Sequence, residues 1–178
     1  MTNSYRVWRI IPGWPDWRST VLGEFIRNDY ISIGWPTDDI TGMGDDEIRQ
    51  ELEELHSKLR EEWAVERPFD INFAFRMLKI FRDEMKEGDV VIVSADRFIY
   101  AVGEITGPYY YDPRPTLYDR YGRPYVYPHK RKVRWLKITK ISHNELPEDI
   151  KRALELPPTI VEIREDRWNH LLRILLSH

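Results

Sequence analysis

Tryptophan and tyrosine are the residue types in this sequence best suited to recognition chemistry. The 178 residues include seven Trp and ten Tyr, more than a core of this size needs, and flat aromatic faces bind nucleobases by stacking. Trp35 ends an Ile-Gly-Trp-Pro segment that predicts a strand end, and Trp14 and Trp17 lie in a polar loop. We predict that these three side chains contact a planar ligand, with a core position as the alternative for each.

Three further rings complete the set of stacking candidates. Trp8 lies within a predicted strand, so a core position and a ligand-facing position both stay open for it. Phe98 and Tyr110 follow the central apolar segment and are candidates for the second face of an aromatic cage. Trp63 and Trp168 lie on apolar helical stripes, and we assign both to the core.

Recognition of one particular base also needs hydrogen-bonding groups, because burying a single methyl group contributes only about 0.8 kcal/mol. Asp96 lies in a predicted turn, where its carboxylate can accept from a base or simply cap the turn. Ser94 and Asn72 are further candidates for the edge of the base. These three residues form the predicted polar wall.

Charge is distributed unevenly along the chain, although the net charge is only -3. Residues 38–66 contain eleven Asp or Glu and three Lys or Arg, whereas residues 112–140 contain nine Lys or Arg and two Asp. The basic stretch also contains tyrosines, a mixture suited to phosphates and exposed bases. Its predicted phosphate ligands are Arg114, Arg120, Arg123, His129, Lys130, Arg131 and Lys132, and a solvated loop is the alternative.

The residue types argue against several classes of protein. Without cysteine there are no disulfides, thiolate metal sites or cysteine nucleophiles. The five His lack metal-ligand spacing and no Gly-x-Ser-x-Gly occurs, so we predict no catalytic residues, no metal and no cofactor. A catalytic site built from distant residues stays open. With no apolar run long enough to cross a bilayer, we expect a cytoplasmic protein, and the abundance of charged residues is typical of heat-adapted proteins.

Hydrophobic periodicity predicts one α+β domain covering residues 1–178, with Met1 at the start of the fold. Strands are predicted at residues 5–11, 30–36, 89–94, 98–106 and 132–141. Helices are predicted at residues 19–26, 45–63, 71–85, 147–156 and 165–176. Residues 107–128 are rich in Tyr, Pro, Arg and Gly without periodicity, which predicts a long functional loop.

The order of these segments resembles the EVE and YTH branch of the PUA-like superfamily. The segments that carry the resemblance are residues 31–36, 88–94, 102–107 and 127–135. It implies a small curved mixed sheet or open barrel flanked by helices, with a modified base flipped into an aromatic cage. Trp35 matches a cage tryptophan of the YTH pattern. More narrowly, the chain is similar to the N-terminal recognition domain of an archaeal McrB-type, modification-dependent restriction protein.

That narrower resemblance implies non-catalytic binding of DNA containing 6-methyladenine. The Walker pattern that a McrB-type AAA+ GTPase region needs does not occur in these residues. The resemblance therefore implies either an isolated recognition domain or part of a longer protein that carries that region. Three alternatives stay open: a reader of methylated RNA, a reader of 5-methylcytosine in DNA, and a protein-interaction module in which the acidic residues 38–66 dock a basic partner.

Overall fold

The computed structural model describes residues 4–178, so Met1, the predicted start of the fold, lies outside the described residues. The strands are β1 (Val7–Ile10), β2 (Tyr30–Ile33), β3 (Val90–Ala95), β4 (Phe98–Tyr111), β5 (Thr116–Tyr118), β6 (Pro124–Val126), β7 (His129–Ser142) and β8 (Ile160–Ile163). The helices are α1 (Arg18–Asn28), α2 (Asp45–Trp63), α3 (Ile71–Lys79), α4 (Glu148–Leu154) and α5 (Glu165–Leu176). Within residues 4–178, no helix is both long and apolar enough to span a membrane.

Six of the strands form one curled mixed sheet in the order β2-β7-β4-β3-β1-β8. All neighbouring strands are antiparallel except β1 and β3, which run parallel with Val7 opposite Val90. Strands β5 and β6 form a separate antiparallel hairpin. The predicted α+β class with a small curved sheet is confirmed.

The two faces of the sheet have separate cores. Helices α1, α2 and α3 cover one face, where Phe25, Leu52 and Phe81 are fully buried. Helices α4 and α5 cover the other face through residues such as Leu154 and Leu171. This three-layer arrangement places the loops that follow β1 and β2 at one edge of the fold.

The predicted long loop, residues 107–128, is wrong at its beginning and in its middle, whereas β7 begins directly after its predicted end. Strand β4 continues through Pro108 to Tyr111, because the register with β7 shifts between Ile105 and Tyr109 and the proline lies in that irregularity, where no ladder hydrogen bond is required of it. The middle of the stretch forms the β5-β6 hairpin. Strand β8 has only four residues and was not predicted.

Trp8 belongs to the core, which makes its assignment to a cage wrong. The ring is 2% exposed, and its indole Nε1 donates to Oδ2 of the buried Asp89 over 2.9 Å. Asp89 also accepts from the backbone N–H groups of Arg6, over 3.0 Å, and Lys86, over 2.9 Å. The carboxylate therefore joins β1 to the turn that precedes β3.

We expect Asp89→Asn to lower the free energy of unfolding by about 2 kcal/mol, because an amide NH2 would face one of three buried N–H donors. Denaturant unfolding measures the change, with the exposed Asp46→Asn as a control that stays within about 0.5 kcal/mol of the unmodified protein. Equal stability of both variants would show that Asp89 does not hold β1 in place.

Candidate functional site

A cavity of about 270 Å³ opens where the ends of β1 and β2 meet the β5-β6 hairpin and the loop before β8. Most of its wall is aromatic. We call this cavity the cage, and its aromatic residues are Trp14, Trp35, Phe73, Tyr125 and Tyr127. The volume lies just below the range of about 300–1,000 Å³ for pockets that take drug-sized ligands, so the cage suits a single planar group.

Trp35 is the most constrained wall of the cage. Its φ of 55° is a left-handed conformation that a bulky residue rarely adopts. The backbone N–H of Trp35 donates to Oη of Tyr125 over 3.1 Å. Its ring meets that of Phe73 edge to face, with centroids 5.9 Å apart. The main chain and the ring are thus both held by other cage residues.

His129, the first residue of β7, holds the other side of the Trp35 peptide. Its Nε2 lies 3.1 Å from the carbonyl oxygen of Trp35 and 3.1 Å from Oγ1 of Thr37. Its Nδ1 lies 2.7 Å from Oη of Tyr109. Because Thr37 Oγ1 already donates to the carbonyl of Asp38, a neutral imidazole that donates from Nε2 and accepts at Nδ1 satisfies every group.

The electrostatics of His129 agree with this neutral form. The imidazole is completely buried, and burial lowers its pKa from 6.5 to about 4. Burial also raises the pKa of the Tyr109 phenol, which keeps its proton available for His129 Nδ1. Protonation of His129 would put a second N–H on Nδ1, where the Tyr109 O–H donates, so the hydrogen bond with Tyr109 fits the neutral ring.

Close packing around Gly34 explains why a glycine precedes Trp35. A Cβ atom built on Gly34 would lie 2.8 Å from Oη of Tyr125 and 3.2 Å from Cε1 of Tyr127. Neither ring can retreat freely, since Tyr127 Oη accepts from the backbone N–H of Trp14 over 3.0 Å. The glycine therefore lets both tyrosine hydroxyls reach the main chain of the loops that carry the cage tryptophans.

A second, larger cavity of about 500 Å³ lies beside the cage and shares Trp14, Trp35 and Tyr125 with it. We call it the tryptophan groove. Trp17 lines the groove but not the cage, because it stacks on the far side of Tyr125 with centroids 4.9 Å apart. Trp63, which was predicted to be core, also lines the groove and is 36% exposed.

Of the predicted cage residues, only Trp14 and Trp35 line the cage, and Trp17 joins them in the tryptophan groove. Phe98 packs against Tyr100, with centroids 6.1 Å apart, at the β3-β4 turn. Tyr110 lies on β4 under the ammonium group of Lys132, 5.5 Å from its ring centroid. Neither Phe98 nor Tyr110 lines the cage, so both assignments are wrong.

The predicted polar wall is also wrong, because none of its three residues lines the cage. Asp96 pairs with Arg18 over 2.5 Å. Ser94 is fully buried and donates to the carbonyl of Phe98 over 3.0 Å. Asn72 is exposed and accepts from Arg49 over 2.9 Å. The polar side chains that do line the cage belong to other residues, namely Arg18, Ser32 and Thr159.

Three of the predicted phosphate ligands are buried and already bonded within the fold. His129 clamps Trp35, and the ammonium group of Lys130 donates to the carbonyl of Arg114. The guanidinium of Arg131 donates to backbone carbonyls, including that of Phe81 over 3.0 Å. The strand that carries them, β7, lies inside the sheet between β2 and β4, and all three consecutive side chains are buried. Their assignment to phosphate is therefore wrong.

The other four predicted phosphate ligands keep some exposure. Arg114 pairs with Asp112 over 3.0 Å, and Arg123 pairs with Asp119. Arg120 is exposed beside the ring of Tyr121, and Lys132 is exposed on β7. The β5-β6 region is therefore less cationic than its sequence indicates, since two of its arginines are neutralised by neighbouring carboxylates.

Phe73, Tyr125 and Tyr127 are cage residues that sequence reasoning missed. Tyr125 and Tyr127 were visible only as part of a basic, tyrosine-rich stretch, and their spacing of two residues is the signal that places both on one side of an extended segment. Phe73 carried no signal beyond its place on the first turn of α3. Within residues 4–178, no group of three His, Asp or Glu could hold a metal ion.

We predict that the buried, neutral His129 ring makes the fold less stable in acid. The unfolded chain protonates His129 near pH 6.5, whereas the folded chain holds its pKa near 4, so the stability contribution of the neutral ring is lost as the pH falls through that window. The expected loss is about 3 kcal/mol. Urea unfolding of the unmodified protein and of His129→Gln at several pH values measures this loss. The unfolding free energy of the variant should depend less steeply on pH between 6.5 and 4. Identical slopes for the two proteins would contradict this role of His129.

The described architecture is similar to that of YTH domains. The YTH domain of the Zygosaccharomyces rouxii MRB1 protein, solved in complex with N6-methyladenosine RNA, aligns with a TM-score of 0.50 and 15% identity over 97% of this chain and 87% of that chain. The Mmi1 YTH domain aligns with a TM-score of 0.51 and 8% identity over 97% and 89% of the two chains. At these identities the likeness concerns the fold.

Sequence comparison gives the family without adding a described activity. A comparison with curated proteins found no match. Residues 8–163 match the family described as "Domain of unknown function (DUF8426)". That match runs from the second residue of β1 to the last residue of β8 and includes every residue of the cage, and it shows that this chain belongs to that family.

Proposed function

We propose that this protein is a non-catalytic reader of modified nucleic acid, which takes a flipped base into the cage. The observation that carries the proposal is the position of Trp35, an aromatic wall held at an unfavourable φ of 55° by hydrogen bonds on both sides of its peptide. Conformational strain of this kind persists where the surroundings over-determine it, and it concentrates at binding sites.

The energetics of the cage match those of base flipping. Extrusion of a base from a duplex costs a few kcal/mol, and aromatic stacking returns about 1–3 kcal/mol per base. Two ring faces in contact with the base offset that cost. Trp14 and Trp35 supply the tryptophan faces, and Trp14 is 58% exposed, so one wall of the cage is open for a base to enter.

We further propose 6-methyladenine as the modified base. The MRB1 YTH domain, whose fold is similar, was solved with N6-methyladenosine RNA, and the apolar wall of the cage suits an added methyl group. A methyl group contributes about 0.8 kcal/mol through its area alone, which is roughly fourfold in affinity. Hydrogen bonds from Ser32, Thr159 or the main chain of the cage supply further discrimination.

For the polymer we propose DNA, with the chain acting as the specificity module of a modification-dependent restriction protein. This part of the proposal rests on the resemblance to McrB-type recognition domains, whereas the similar solved structures contain RNA. A DNA reader should bind methylated DNA more tightly than methylated RNA, and an RNA reader should show the opposite preference.

That experiment is a fluorescence anisotropy titration at fixed moderate salt with duplexes that differ only in one 6-methyladenine. Matched 5-methylcytosine duplexes and methylated RNA complete the series. The proposal predicts the tightest binding to the methylated-adenine DNA. Equal affinities throughout would overturn modified-base reading, and preference for the RNA would overturn the choice of polymer. No binding at all would favour a protein-interaction module, whose docking surface would be the tryptophan groove beside the acidic α2.

We predict that Trp35→Ala abolishes the preference for methylated DNA and weakens its binding by about 10- to 100-fold, because one stacking face is lost. Trp63→Ala is the matched control, since Trp63 is a tryptophan that lines the groove but not the cage. The control should retain the preference. Circular dichroism and urea unfolding confirm that both variants fold, and loss of preference in Trp63→Ala alone would place the base in the groove.

A further inference from the structure

A third cavity, of about 310 Å³, lies against the cage on the side of α4 and the β3-β4 turn. The two cavities share Ile11, Arg18 and Pro157 in their walls. Three arginines, Arg9, Arg18 and Arg97, are among the residues that line the third cavity. We call it the arginine cavity.

Arg9 brings a buried positive charge to this cavity. The residue is 1% exposed, and burial lowers the pKa of its guanidinium to about 10, which still leaves it charged near neutral pH. Its hydrogen bonds go to the backbone carbonyls of Leu154, Leu156 and Pro158, and within residues 4–178 none goes to a carboxylate. Among the described residues its Nε has no hydrogen-bond partner. The charge of Arg9 is therefore solvated by carbonyl dipoles without being neutralised.

Arg18 links the two cavities and is only partly satisfied. Its Nη1 pairs with Asp96 over 2.5 Å, and its Nη2 donates to the carbonyl of Gly13 over 3.2 Å. Its buried Nε has no partner within the described residues. The side chain of Asp96 is 57% exposed, so this carboxylate can swing into solvent and leave the Arg18 guanidinium to another anion.

The remaining charged groups around the cavity leave a net positive charge. Glu155 is one of two carboxylates in the wall, and it bonds to Nδ1 of the buried His143 over 3.0 Å. Asp96, the other carboxylate, forms an ion pair with Arg18. Set against three arginines, these two carboxylates leave one positive charge in excess, and an excess of positive charge in a cavity attracts an anion.

We propose that the arginine cavity binds a phosphate group of the nucleic acid strand, the one next to the base held in the cage. The inference rests on the proposed function, because Arg18 borders both cavities and a base in the cage brings its own backbone to that border. A phosphate oxygen replaces the Asp96 carboxylate at Arg18, and Arg97 at the turn supplies a second donor. Planar guanidinium groups are suited to this contact.

This inference reverses the expected role of Asp96. As a base-edge acceptor, Asp96 would strengthen binding, whereas as the competitor of a phosphate at Arg18 it weakens binding. We predict that Asp96→Asn tightens binding of methylated DNA about threefold. Asparagine accepts the left-handed backbone at this position, where φ is 52°. Asp29→Asn is the matched control, an exposed aspartate with φ 53° that lines neither cavity.

A scan of neutral methylphosphonate linkages locates the phosphate itself. Each linkage around the 6-methyladenine is replaced in turn, and binding to the unmodified protein is measured by anisotropy. We expect one linkage next to the modified base to weaken binding about tenfold when neutralised. The same replacement should cost Arg97→Asn much less, because that variant has already lost part of the contact. Arg60→Asn, on the exposed face of α2, should behave like the unmodified protein.

The outcomes separate the inference from the proposed function. A uniform response to every methylphosphonate position, or weaker binding by Asp96→Asn, overturns the phosphate site while the preference for methylated DNA still stands. Loss of that preference in the unmodified protein overturns the proposed function itself. A tenfold effect at one linkage, reduced in Arg97→Asn, supports the phosphate site.

Discussion

The clamp on the Trp35 peptide is the constraint on which the rest of the site depends. Strand β2 ends two residues earlier, and its partner β7 begins at His129, directly opposite Ile33. The same pairing that closes the sheet therefore brings His129 to the carbonyl of Trp35. The hairpin that precedes β7 brings Tyr125 to its N–H. Strand pairing thus forms the cage, and hydrogen bonds to residues of the sheet and the hairpin hold the Trp35 peptide in place.

Charge in this protein is arranged differently from what its linear distribution indicates. The cations of the basic stretch that begins β7 are buried, and Arg131 and Lys130 donate to backbone carbonyls. These bonds fasten the helical turn after α3 and the β4-β5 connection to the sheet. Meanwhile Arg9, in the middle of β1, leaves a positive charge beside the cage. Under the proposed function, attraction of a polyanion depends on a few arginines near the cavity, which agrees with a net charge of -3.

Sequence reasoning succeeded where a pattern had one structural solution. Helix α5 has the predicted bounds, Glu165–Leu176, because its apolar stripe and acidic first turn permit no other arrangement. Trp35 and Trp14 were predicted from a tryptophan beside a strand end and one in a polar loop, and both line the cavity that is the candidate cage. It failed for Trp8, whose indole N–H is paired inside the core with Asp89, a residue 81 positions away. It failed for Arg131 because a charged residue in a strand pattern is expected to face solvent, and only the tertiary structure supplies the carbonyls that bury it.

A crystal structure with a duplex carrying one 6-methyladenine tests the central claim most directly. The account predicts that the modified base lies outside the helical stack, in the cage, with its face against Trp35 and the left-handed φ of that residue unchanged. A base still paired within the duplex would contradict the account, as would a base seated in the tryptophan groove with the cage empty.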